Sequence, residues 1–364
     1  MKDEQRDNQS EQKRTEPALT PLGTLPEPTI RSRAGDMIHT SPELAVGEGD
    51  VRSAEQGVQE PLAGTSLWKD AWRRLLKNKL AVFGMIVVAI VLAASLVGPF
   101  IIRKTTGFTY DSIPQDMEFT RAMPPFRDLS GDFSPVHPMG TDTSGRDLFA
   151  RVLIGGRISL MVGIISTLVS LLIGVTFGAT AGYLGGRVDT VMMRIVDVLY
   201  ALPYMMIVIV LLAFFGGKSP LGRLILLFIA LGAVSWLTMA RIVRGQVMSL
   251  KNQEFVLAAR ATGVSTHRII FRHLVPNTLG PVIVYATLTI PQVMLQEAFL
   301  SFLGLGVQAP LASWGSLASE GIQNIAIFPW QLVFPGVTMA LTLFSLNFLG
   351  DGLRDALDPQ MRKT

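Results

Sequence analysis

Residues 80–102 are twenty-three consecutive positions without a single charge. As a helix this run is about 34 Å long, enough to cross a hydrocarbon layer of about 30 Å. In lipid a spanning segment must satisfy its own backbone groups, so the run commits this part of the chain to a helix. Five further apolar stretches follow, at about 158–183, 198–216, 224–240, 279–300 and 330–349. The pattern predicts an all-α polytopic membrane protein of six transmembrane helices with both termini on one side. The third and fourth are short and are joined by a tight turn through Gly216-Gly217 and Pro220, as in a membrane hairpin.

Orientation follows from the basic residues near the helix ends. Lys69, Arg73, Arg74, Lys77 and Lys79 stand before the first span, against Asp70 alone. The stretch 241–277 carries Arg241, Arg244, Lys251, Arg260, Arg268 and Arg272, with Glu254 its only acid. Both belong in the cytoplasm, and with them both termini. Arg146, Arg151 and Arg157 then fall on the outer side, against the rule, partly offset by Asp142 and Asp147.

The expected organisation is a disordered cytoplasmic extension (1–66) too poor in large apolar residues to offset its chain entropy, then a basic flank and first span (67–102). An extracytoplasmic segment (103–157), a membrane core (158–350) containing the cytoplasmic loop 241–277, and a cytoplasmic tail (351–364) complete it. No secretory signal peptide is expected, and the first apolar run serves as an uncleaved anchor. In the outer segment Ser144-Gly-Arg-Asp147 reads as a capping box, the hydroxyl starting a helix. Leu148, Val152 and Leu153 would lay that helix along the membrane surface before Ile158 enters.

Only 16% of the 364 residues are charged, against about 25% in soluble domains. The net charge of +4 is accounted for by loop arginines, and no zinc-finger spacing or aromatic-basic interleaving points to nucleic acid. The chain has no cysteine, which excludes disulfides, thiolate catalysis and cysteine metal sites. His39, His137, His267 and His273 form no His-x-x-x-His pair, so no metal site is expected. Gly217-Lys218-Ser219 resembles the end of a phosphate loop, but Leu212 stands where an earlier glycine is needed. Any ATPase must therefore be another chain. No Ser-His-Asp grouping or His-Glu-x-x-His run offers catalytic machinery.

Four features remain as site candidates. Gly174, Gly178 and Gly182 share one face of the second span and suit close helix packing. Glu297 is the one acid within a span. It is expected near the outer interface, as part of a translocation path or outer gate. Arg194 and Asp197 are expected to pair, with Asp189, in a short cytoplasmic link before the third span. In the cytoplasmic loop, Ala258, Ala259 and Ala261 favour helix, Gly263 ends it in a left-handed cap, and a second helical stretch from Thr266 runs until Pro276 interrupts it.

Four stretches resemble the C-type permease subunit of dipeptide and oligopeptide ABC importers. They are Trp72-Arg-Arg-Leu-Leu-Lys-Asn-Lys79, and His137-Pro-Met-Gly-Thr-Asp-Thr-Ser-Gly-Arg-Asp147 with Gly156-Arg157-Ile-Ser-Leu160. The third is the loop through Glu254, Ala258, Ala259, Arg260, Gly263 and Pro276. The fourth is Ser301-Phe-Leu-Gly-Leu-Gly306 with Gly350-Asp-Gly-Leu-Arg-Asp-Ala-Leu-Asp-Pro359. The resemblance implies the type I importer permease fold, with the third stretch as the loop that engages the ATPases. Gly140, Asp142, Gly145, Arg146 and Asp147 form the external signature. It also implies a heterodimer with a B-type permease, two ATPase subunits using ATP and Mg, an extracytoplasmic peptide-binding protein and a place in the cytoplasmic (inner) membrane, with no cofactor on this chain. Leu257 stands where the family usually has glutamate, with Glu254 one helical turn earlier. Relatives with similar permeases carry nickel chelates or other small solutes, which keeps those substrates open beside peptides. A non-ABC secondary carrier or membrane enzyme is the remaining alternative.

Overall fold

A computed structural model describes residues 67–107, 109–113, 122–127, 130–216 and 219–357. The extension 1–66, Gly217 and Lys218 of the expected turn, and residues 358–364 lie outside the described residues. Ten helices carry the architecture: α1 (Leu67–Lys77), α2 (Lys79–Thr106), α3 (Leu148–Leu184), α4 (Gly186–Ala201), α5 (Tyr204–Phe215), α6 (Pro220–Leu250), α7 (Glu254–Ala261), α8 (Leu279–Phe302), α9 (Trp314–Gln323) and α10 (Trp330–Leu357). Among the described residues extended pairing is confined to two isolated bridges, Arg127 with Phe133 and Thr141 with Asp147. The protein is all-α.

Helices α2, α3, α6, α8 and α10 are each long and apolar enough to cross a membrane. The sixth apolar stretch is not one straight helix. It divides into α4 and α5, bent by 82°. The cause is Pro203, which disfavours helical backbone in the residue before it, and Leu202 is extended there (φ −78°, ψ 141°). The link expected to carry Asp189, Arg194 and Asp197 is therefore itself helix α4.

The start of α3 also differs from expectation. The cap is Asp147, whose carboxylate accepts the Ala150 N–H at 2.6 Å, while the Ser144 N–H donates to Asp142 Oδ1 at 2.8 Å. Among the described residues no separate helix stands between Asp147 and Ile158. One helix runs unbroken from Leu148 to Leu184. Gly155-Gly156 does not break it, because α9 packs there: a β-carbon on Gly156 would lie 2.6 Å from the Trp314 ring.

Helix α3 is the spine, and α6 lies against it. A β-carbon on Gly174 would meet Met239 at 2.7 Å, one on Gly178 would strike the Ala240 carbonyl, and one on Gly182 would lie 2.8 Å from the Arg244 carbonyl. Gly232 of α6 returns the approach against Ser166 and Val169, and the Ser166 hydroxyl donates to the Phe228 carbonyl at 3.0 Å. Without side chains between them, dispersion and this buried hydrogen bond hold the two backbones together. At the far edge, α1 packs Ala71 and Leu75 against Ala81 and Ala356. The turn between α1 and α2 is fixed by Asn78, whose side chain accepts the N–H groups of Leu80 and Ala81.

Candidate functional site

The basic stretch 241–277 begins as the last turns of α6 and then folds back as α7. Val256 and Ala259 of α7 are buried with Val243, Val247, Ile269 and Leu274, so α7 is fastened by one apolar face. Its other face presents Glu254, Phe255, Leu257, Ala258 and Arg260 to solvent. Gly263 has φ +74°, where a β-carbon would be strained. The Gly263 N–H donates to the Arg260 carbonyl and the Val264 N–H to the Ala259 carbonyl. That pair of bonds closes the last turn of the helix.

Pro276 does not interrupt the second stretch as the sequence suggests. Thr266–Arg268 leads into a π-helical run, Ile269–Leu274, then Val275–Asn277, and the chain passes on into α8. A proline ring clashes with the carbonyl four residues back. The widened π ladder, with the Val275 N–H reaching the Ile270 carbonyl, accommodates it. The Asn277 side chain takes up the His273 carbonyl at 2.6 Å.

Polar contacts join this loop to the ends of α3 and α4. The Arg260 guanidinium lies over the Tyr183 ring, 4.9 Å from its centre, and its Nε donates to the Tyr183 hydroxyl at 3.2 Å. Lys251 donates to the Gly182 carbonyl at 3.3 Å. Arg244 grips Asp189 through two nitrogens, at 2.5 and 2.6 Å. Arg241 bonds Asp197 at 2.8 Å and stacks over Tyr200. The expected pairing of Arg194 with Asp197 is not made: Asp197 faces α6, and Arg194 points to solvent. Both acids of α4 thus clamp it to α6.

In the segment before α3, Gly140 and Gly145 (φ +75° and +76°) turn the chain so that Asp142 becomes a hub. Its Oδ1 accepts the N–H groups of Ser144 and Arg146, and its Oδ2 accepts Arg146 Nε and Arg151 Nη1, both at 2.6 Å. Arg151, 1% exposed, also holds Glu320 of α9 at 2.7 and 3.1 Å. Asp147 Oδ2 lies at hydrogen-bond distance, 2.7 Å, from His137 Nδ1. The Thr141 carbonyl accepts Gln331 and Trp330 of α10. The signature residues thus fasten the segment before α3 to helices α3, α9 and α10. Two of the three arginines that conflicted with the charge rule carry no net field, because they are paired with acids.

Glu297 is enclosed by protein. It is buried, and its Oε1 accepts the hydroxyls of Ser301 at 2.6 Å and Ser313 at 2.7 Å. It ties α8 to the start of α9. The adjacent Gln296 points elsewhere, into a cavity of about 360 Å³ among α4, α5, α6 and α8. The signal for that face in the sequence is Tyr285, Thr289, Gln292 and Gln296, which recur at helical spacing within an apolar run.

Residues 174–363 match the family described as binding-protein-dependent transport system inner membrane component. Residues 66–125 match the N-terminal TM domain of oligopeptide transport permease C. The chain is 50% identical over 299 residues to the oligopeptide transport system permease protein OppC of Escherichia coli strain K12, covering 82% of this chain and 93% of that one. To the dipeptide transport system permease protein DppC of Bacillus subtilis strain 168 it is 46% identical over 299 residues, covering 82% and 87%. An inward-facing structure of the MetNI methionine ABC transporter aligns with 57% of this chain and 96% of that one, at 18% identity and a TM-score of 0.45. The family assignment rests on the sequence matches. The chain belongs to the binding-protein-dependent transport system inner membrane component family, and it is a multi-pass membrane protein.

Proposed function

We propose that this chain is one of two different permease subunits of an ABC importer that moves di- and oligopeptides inward across the cytoplasmic membrane. The peptide assignment is supported by the names of relatives that share about half its sequence along nearly their whole length. The B-type permease, two ATPases using ATP and Mg, and an extracytoplasmic binding protein complete the assembly. The basic loop and both termini face the cytoplasm, and the chain itself hydrolyses nothing.

The observation that carries the mechanism is the two-faced helix α7. One side is sealed by Val256 and Ala259 onto the ends of α3 and α6, and the other is open to a partner. An ATPase that closes on ATP pushes this open face. The push reaches α3 through Arg260 on Tyr183 and Lys251 on Gly182, and α4 through the Arg244–Asp189 clamp. Because α3 and α6 touch backbone to backbone, they move as one body. Leu257, 49% exposed, offers an apolar contact where the family usually presents an acid.

Proteoliposomes holding the complete complex and its binding protein provide the test. Labelled di- to hexapeptides should accumulate with ATP and compete with one another. Uptake of a nickel chelate with neither entry of nor competition by peptides would refute the peptide assignment and leave the importer assignment standing.

A further inference from the structure

The cavity beside Gln296 is lined without a single Asp, Glu, Lys, Arg or His. A second cavity of about 620 Å³ shares Tyr285 with it and continues along α8 past Pro281 to Gly280. From Gln296 to Gly280 the helical rise is about 24 Å, most of a hydrocarbon core. One side of α8 is thus hollowed across most of the membrane.

Several polar side chains on that side are uncommitted. Other hydroxyls and amides of the spans turn back to a carbonyl of their own helix, as Thr287 and Asn347 do, and as Ser235 and Thr289 do at the cavity itself. Among the described residues, the side chains of Gln292, Gln296, Tyr204 and Tyr285 make no hydrogen bond. Lipid offers them no partner, so this face meets water, a polar ligand or polar groups of the second permease. A glutamine amide supplies two donors and an acceptor. Those are the complements of the C=O and N–H that every peptide unit carries whatever its side chain. Tyr204 and Tyr285 add apolar ring surface with a polar tip.

We propose that Gln292 and Gln296, flanked by Tyr204 and Tyr285, form a membrane-embedded site that holds the main chain of a passing peptide through side-chain amide hydrogen bonds. The site is uncharged, which suits cargo of varied charge that must also be released. The proposal rests on the peptide-import reading.

The absence of cysteine from this chain permits a direct test in the reconstituted complex. Gln292→Cys and Gln296→Cys are compared with Leu295→Cys, a residue on another face of α8 that is 52% exposed but does not line the cavity. With a water-soluble methanethiosulfonate, labelling of this chain should be about tenfold faster at 292 and 296, because lipid raises a thiol's pKa by a unit or more and the thiolate reacts. Peptide-loaded binding protein with ATP should slow it. Labelling at 292 and 296 no faster than at 295 overturns the site. The second readout is transport of trialanine and its backbone N-methylated analogue by the Gln292→Met/Gln296→Met variant, which is close to isosteric. The binding protein is the same throughout, so its own preference cancels when the ratio of the two rates is compared between variant and wild type. Trialanine transport should fall about tenfold, the scale of two lost hydrogen bonds, and approach that of the analogue. An unchanged ratio overturns main-chain recognition even if labelling succeeds. If the variant does not assemble, the cysteine series decides. Failure of the wild-type complex to carry trialanine removes the peptide-import reading and this proposal with it.

Discussion

Ala240 on α6 presents its carbonyl oxygen where a β-carbon of Gly178 on α3 would sit. The glycine face 174–178–182 therefore serves contact within this chain, and its first effect is on the stability of the permease fold. Gly178→Leu must push α3 and α6 apart, and overpacking of this kind costs about 1–3 kcal/mol or more. Gly245 on α6 is the control, since a β-carbon there meets nothing within 4 Å. Gly245→Ala should be neutral or slightly stabilising, as expected for alanine over glycine inside a helix. Thermal unfolding in detergent checks both. A Gly178→Leu protein as stable as wild type would place that face toward lipid.

Ala258 and Ala259 are neighbours in sequence and opposites in structure: Ala258 is exposed, and Ala259 is buried under α7. Ala258→Asp should leave assembly intact and abolish substrate-stimulated ATP hydrolysis, because it adds charge and bulk only to the partner-facing side. Ala259→Asp buries a carboxylate without a partner and should loosen α7 itself. Protease sensitivity around residue 261 separates the two. Equal sensitivity, or wild-type stimulated turnover with Ala258→Asp, would contradict this reading of the loop.

The apolar runs made the helical class legible, because lipid leaves the backbone few alternatives. Gly263 was legible for a similar reason, since a capped short helix needs a left-handed residue. The misreadings came from contacts between segments distant in sequence. Asp197 was paired with Arg194 by helical spacing, but Arg241, forty-four residues on, occupies its carboxylate. Glu297 stood out as the one acid within a span, and its bond to Ser313 of α9, sixteen residues on, is not written in any local pattern. The break at Leu202-Pro203 was written in the sequence as a proline, and the apolar run around it outweighed the signal. The polar face of α8 was visible as periodic glutamines. What no local pattern revealed is that these groups lack partners.

Arg151 is buried between Asp142 and the more exposed Glu320. Removing one side of a buried pair leaves the other charge uncompensated, which typically costs about 3–5 kcal/mol. Arg146 still reaches Asp142, so Arg151→Met should fall at or below the lower end of that range. Glu320→Gln should cost much less, because its carboxylate stays about half exposed. Limited proteolysis of the outer segment in intact proteoliposomes is the measurement. Equal sensitivity of the two variants would mean that Arg151 does not carry the hub.

Glu297 lies beside Gln296 in sequence, but it faces Ser301 and Ser313 and does not line the cavity. Glu297→Gln keeps a carbonyl oxygen that accepts both serine hydroxyls. Peptide uptake by that variant should stay close to wild type at every peptide charge. Glu297→Leu removes the acceptor and leaves both hydroxyls to find backbone partners, so it should lower the stability of the α8–α9 junction by about 1–3 kcal/mol. Detergent melting reads the second effect, and uptake of peptides with free and acetylated amino termini reads the first. If Glu297→Gln slows free-amine peptides selectively while melting is unchanged, then the carboxylate meets the cargo, and its bonds to Ser301 and Ser313 must open during the transport cycle.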